Sequence, residues 1–129
     1  MPLIRITLSE NYSEEEINQI SQAIHSALIE DFNIPNDDYF HIIERVNHSQ
    51  LFFPNQYLGM KHDQGILFLQ IIAAIGRSKE QKEKLYKNIV LKISGSTKIN
   101  PQNIIITLLE NSKENWSFGN GELQNFNHI

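Results

Sequence analysis

The sequence predicts an α/β (α+β) fold in which two β-α-β units form a four-stranded mixed sheet with both helices on one face. Three observations carry this. A helix-capping box occurs twice, as Ser13 with Glu16 and as Ser78 with Gln81, 65 residues apart. The apolar helix positions behind each box superpose at the same shift, Ile20 on Leu85, Ile24 on Ile89 and Leu28 on Ile93. Each helix is followed by a proline, Pro35 and Pro101, and then by a β-rich segment. Right-handed crossovers then put both helices on one face and the first strands of the two units side by side at the centre. A pseudo-twofold between the units runs those strands antiparallel.

The first unit, about residues 2–46, opens with a strand at Leu3–Leu8, rich in Ile and Thr. Ser13 starts the first helix, and Glu14, Glu15 and Glu16 complement the positive end of its dipole. Ile17, Ile20, Ser21, Ile24, Ala27 and Leu28 share one face, and Pro35 stops the helix near Asn33 by forcing Ile34 out of helical geometry. A strand at about Phe40–Val46 closes the unit. The second unit, about residues 65–110, has a strand at Gly65–Ala74, a helix with Leu85, Tyr86, Ile89, Val90 and Ile93 inward, an expected stop at Gly95, and a strand at Ile104–Leu109. Asn47–Met60, with Pro54 and Gly59, is a connecting arm or hairpin, and a polar tail follows Leu109. The whole, residues 1–129, reads as one domain. The segment Ile66–Ile72 is apolar on both faces, so the sheet face without helices predicts an oligomer.

Composition narrows the function. The chain has 129 residues, 40% of them hydrophobic, and a net charge of −4 with no Lys/Arg cluster, which argues against nucleic acid as a partner. There is no cysteine, hence no thiol catalysis, and no apolar run of membrane-spanning length; a cytoplasmic protein is expected. His25, His41, His48, His62 and His128 lack metal-ligand spacing, and no phosphate loop, dinucleotide fingerprint or nucleophile elbow occurs. No cofactor or metal is expected.

The residue with most chemical potential is Pro2. Removal of Met1 would convert it from an amide into a free secondary amine, and α-amines titrate near ~7.7–8.0, within reach of proton transfer at neutral pH. Arg77 lies between the end of a core strand and the cap of the second helix, and the antiparallel arrangement can bring it to Pro2. Asp37 and Asp38 form an acidic pair in a turn, which turn chemistry alone explains. Trp116 and Phe118, in a Gly-flanked loop, suit either a patch docking on another subunit or an apolar wall excluding water from the amine.

This combination resembles the tautomerase superfamily, the fold group of 4-oxalocrotonate tautomerase and macrophage migration inhibitory factor. Within it the likeness is strongest to the malonate semialdehyde decarboxylase group, through Met1-Pro2-Leu3, the Pro35–Asp38 turn, Gly76-Arg77-Ser78 with Glu80-Gln81-Lys82, and Glu110-Asn111-Ser112 with Trp116-Ser117-Phe118-Gly119. The resemblance implies a homotrimer with Pro2 transferring protons, Arg77 anchoring a substrate carboxylate, Asp38 assisting, and Trp116 and Phe118 walling the pocket. In one respect the chain departs from that group: the first of the group's two arginines falls on Ile75, which leaves one guanidinium beside an apolar substrate-facing side chain. The expectation is therefore keto-enol tautomerisation of a 2-oxo acid. The alternatives are decarboxylation or hydration of a small 3-oxo acid, and a non-catalytic trimeric binding protein if Met1 is retained.

Overall fold

The computed structural model describes residues 1–125, so His128 lies outside the described residues. β1 (Pro2–Ser9), α1 (Glu14–Phe32) and β2 (Phe40–Val46) form the first unit; β5 (Leu67–Ala74), α2 (Lys79–Ser96) and β6 (Ile104–Asn111) form the second. Between them lies a small hairpin of β3 (Gln56–Tyr57) and β4 (Met60–Lys61), turned at Leu58 and Gly59, which have φ of 49° and 80°. The main sheet has the order β2-β1-β5-β6, with the central pair antiparallel and both outer pairs parallel.

Both predicted capping boxes form: Ser13 accepts from the Glu16 amide and Ser78 from the Gln81 amide, each with the reciprocal side-chain bond. Behind them Ile20, Ile24 and Leu28 of α1 and Leu85, Ile89 and Ile93 of α2 are buried. They cover Ile4, Ile6 and Leu8 of β1 and Leu67, Leu69 and Ile71 of β5. The two central strands have the same alternation of buried and open positions, as expected for strands with one face on the helices.

Two local expectations need correction. Gly95 does not end α2, which continues to Ser96; its φ is not in the left-handed region, and the cap is Thr97, whose amide and hydroxyl both donate to the Ile93 carbonyl at 3.0 and 2.6 Å. Gly65 does not belong to the strand, which starts at Leu67. It sits in a turn where its amide donates to Asp63 Oδ1 at 2.8 Å, and a Cβ would come within 3.1 Å of Asn103 Nδ2 and Asp63 Oδ1.

The sheet face away from the helices carries a row of Phe40, Leu3, Ile72 and Leu109, then a row of Ile42, Arg5, Gln70 and Thr107. Phe40 is 46% exposed and Leu109 52%. Arg5 and Glu44 pair across this face at 2.6 Å. It is apolar along one edge and ionic near its middle, rather than uniformly apolar.

Candidate active site

The antiparallel register sets Pro2 opposite Ala73, so the start of the chain and the end of β5 meet at one end of the sheet. Arg77 follows that strand end directly. Asp38 comes to the same end from the turn after α1, held by its amide donating to the Pro35 carbonyl at 3.1 Å. Met1 is present and buried, and its amino group forms an ion pair with Asp38. A cavity of about 350 Å³ opens here, lined among others by Met1, Phe32, Asp38, Ile75, Arg77 and Lys113.

Arg77 is positioned by three contacts. Its guanidinium donates to the carbonyls of Ala74 at 3.0 Å and Phe32 at 3.3 Å and lies 4.8 Å above the Phe32 ring centroid. Burial lowers its pKa from the ordinary arginine value, while Glu110 and Asp38 pull in the opposite direction; an arginine so perturbed remains a cation. Two of its five N–H donors are thereby committed to the main chain, and the rest are free to meet an anion.

Trp116 and Phe118 turn back onto their own chain. Their rings stack with centroids 5.3 Å apart and 4° between planes, and both pack against the buried Met1 and Ala74. Trp116 Nε1 donates to Asn111 Oδ1 at 2.5 Å, and Phe118 lies 5.3 Å from Phe40. The two rings thus pack beside the amino end, although neither lines the cavity itself. Ile75 sits on the rim, 63% exposed.

Phe32 and Lys113 were not singled out from the sequence. Phe32 continues the inward face of α1 one turn beyond Leu28, so periodicity signalled its burial but not that its ring would lie beneath a guanidinium. Lys113 carries no such signal. Asp37, the neighbour of Asp38, does not line the cavity.

The opposite end of the sheet shows what this one would be without a chain terminus. Shifting by 65 residues puts Tyr12 in the place of Arg77 and Asn103 in the place of Asp38. There Asn103 donates to Asp63 at 2.8 Å, Asp63's amide donates to Asn103 at 3.0 Å, and the Tyr12 hydroxyl donates to the Gly65 carbonyl. Burial and the nearby Glu16 and Asp63 push that phenol up to about 12. These polar groups bond one another, and a peptide bond runs where the other end has an amine. Among the described residues no three His, Asp or Glu side chains converge as metal ligands. His41 accepts or donates with Ser21 Oγ at 2.8 Å, and burial beside His25 lowers its pKa to about 4.

The chain matches known proteins along nearly its whole length. A family model described as "Tautomerase enzyme" matches residues 38–119, and another of that description matches residues 2–59. The chain is 33% identical to the probable tautomerase YusQ of Bacillus subtilis over 124 residues, 96% of this chain and 98% of that protein. This chain belongs to the tautomerase family. The solved structure of FG41 malonate semialdehyde decarboxylase, inhibited by 3-bromopropiolate, superposes with a TM-score of 0.88 at 29% identity, covering 95% of this chain and 92% of that one. A fused 4-OT symmetric trimer superposes at 0.76 with 14% identity, over 93% and 94% of the two chains, a likeness of fold alone. Tautomerase membership thus accompanies a fold that brings a chain terminus, a guanidinium and a carboxylate to one cavity.

Proposed function

We propose that the protein, once Met1 is removed, interconverts keto and enol forms of a 2-oxo acid with Pro2 as the proton-transfer residue. The observation that carries this is the pairing of Pro2 with Ala73, because it sets the amino end beside Arg77 and Asp38 on one cavity. Arg77 holds the substrate carboxylate. The neutral Pro2 amine takes the enol hydroxyl proton, the carbonyl forms as the C=C electrons move to the adjacent carbon, and the protonated amine returns its proton to that carbon, so charge and electrons balance without a cofactor. Asp38, which pairs with the Met1 amine, would favour the protonated form of the Pro2 amine, whereas Arg77 would favour the neutral one. Trp116 and Phe118 keep water from the amine.

The bare sheet face, with Phe40, Leu3, Ile72 and Leu109 in one row, is read as the contact between subunits of a homotrimer; the trimeric fused 4-OT of the same fold supports this. A cytoplasmic location is proposed from the lack of cysteine; among the described residues no helix is long and apolar enough to cross a membrane.

A second reading, decarboxylation of a small 3-oxo acid, is favoured by the 29% identity to a malonate semialdehyde decarboxylase. Ile75 weighs against it, since an apolar side chain stands where the decarboxylase group has the first arginine of its pair, so that position offers no charge to polarise the carbonyl next to a held carboxylate. A third reading, a binding protein without catalysis, follows if Met1 is kept, because it is buried and its amine already satisfies Asp38. Intact mass decides whether Met1 is present. Loss of enol absorbance of an aryl 2-oxo acid, measured on processed protein and on protein retaining Met1, then tests the mechanism. Equal rates in the two would refute it.

A further inference from the structure

We infer that Lys113 is the second cation of the carboxylate site, lining the same cavity as Arg77. This rests on the reading of the cavity as a carboxylate site. Lys113 lines both the main cavity and an adjoining one, and the two share Ala74 and Ile75 as walls. The first arginine of the decarboxylase pair falls on Ile75, so the two cations flank the position where that guanidinium is missing.

The loop bearing Lys113 is fixed by a set of hydrogen bonds at its base. The Ile75 amide donates to the Asn111 carbonyl at 2.9 Å, extending the β5–β6 ladder past the strand end. Trp116 Nε1 donates to Asn111 Oδ1 at 2.5 Å, the Asn115 amide to the Ser112 carbonyl at 3.0 Å, and the Trp116 amide to the Lys113 carbonyl at 3.3 Å. The backbone of Lys113 is thus held while its side chain extends, exposed, from a short 3₁₀ turn.

The charge balance points the same way. The Asp38 carboxylate is engaged by the terminal amine. The nearby Lys82 is neutralised by Glu110 at 2.7 Å. Lys113 makes no ion pair among the described residues, and Glu114, the acid next to it, lines only the outer cavity. Arg77 and Lys113 therefore leave the main cavity with positive charge that its own carboxylate does not cancel. An anion entering it meets a guanidinium held by two main-chain bonds and an ammonium on an exposed side chain. Specificity for a carboxylate over its ester follows from both.

The test uses processed wild-type protein with Lys113→Met and Lys113→Arg, and benzoylformate, a 2-oxo acid that cannot enolise, as the probe. Trp116 is the only tryptophan in the sequence, so its fluorescence reports binding without any turnover. Lys113→Met should weaken benzoylformate binding about tenfold, the low end for a charge-assisted hydrogen bond, and Lys113→Arg should restore it to within about threefold. Binding of methyl benzoylformate should be the same in all three proteins. Unchanged affinity in Lys113→Met, an equal loss for acid and ester, or no saturable binding to wild type would overturn the assignment. Lys113-dependent binding by a protein that turns over no enol would support it while refuting the tautomerisation reading.

Discussion

Replacing Arg77 by alanine separates the packing role that its contacts show from the carboxylate-binding role proposed for it. The guanidinium donates to the carbonyls of Ala74 and Phe32 at 3.0 and 3.3 Å and covers the Phe32 ring at 4.8 Å, so its loss leaves two main-chain acceptors to water and uncovers an aromatic ring. Arg77 is only half-buried, which screens these contacts and brings their sum to about 1–2 kcal/mol. For a chain of 129 residues this corresponds to a fall in Tm of roughly 3–8 °C, measured at fixed protein concentration because assembly also shifts Tm. The proposed second role is substrate grip. Losing a charge-assisted carboxylate contact costs about 1.5–3 kcal/mol, or roughly 10- to 100-fold in kcat/KM. The assay compares an enolised aryl 2-oxo acid with its methyl ester well below the variant's Tm. The acid should lose that factor chiefly through KM, and the ester should lose less than about threefold. An equal loss for acid and ester, or an acid KM within twofold of wild type, would refute the carboxylate role and leave Arg77 as a structural residue.

Other outcomes follow from the same geometry. Pro2→Ala should lower proton transfer by about 10²-fold in protein whose mass shows Met1 removed, since a primary amine replaces a ring-constrained secondary one. Ile75→Arg, at a rim position 63% exposed, should fold normally and raise decarboxylation of malonate semialdehyde, read by aldehyde release; no gain would disconnect that position from the reaction. Phe40→Glu on the bare sheet face should convert a trimer into smaller species by light scattering, and a wild-type monomer at micromolar concentration would contradict the assembly. The pKa of His41 is lowered from 6.5 to about 4. Its unfolded form therefore takes up a proton first, and stability present above about pH 6.5 should decline as pH falls toward 4. Denaturant midpoints across that window should lose part of this slope in His41→Phe, with His25 beside it and Ser21 bonded to it unchanged.

What the sequence by itself determined was whatever depends on neighbours a few places apart. Both capping boxes need only a serine and a partner three residues on, and both formed at Ser13 and Ser78. The inward faces of α1 and α2 follow from a 3.6-residue period, and the repeat of the whole pattern after 65 residues, with crossover handedness, was enough to order the four strands. The misreadings at Gly95 and Gly65 were also local. A glycine permits a helix stop or a strand start without requiring either, and the Thr97 hydroxyl and the Asp63–Asn103 pair decided the matter. Of the candidate site, the sequence and the family resemblance suggested Pro2, Asp38 and Arg77, and the structure brings Met1, Asp38 and Arg77 to one cavity, with Pro2 next to Met1 in the chain. Tertiary structure alone decided that the Phe32 ring lies under Arg77, that Trp116 and Phe118 fold back on Met1, and that Lys113 lines the same cavity as Arg77. Those contacts join residues on different elements, 45 positions apart for Phe32 and Arg77. They arise only when an antiparallel register closes the sheet, because side chains with no periodic or spacing relation along the chain become neighbours where two strand ends meet.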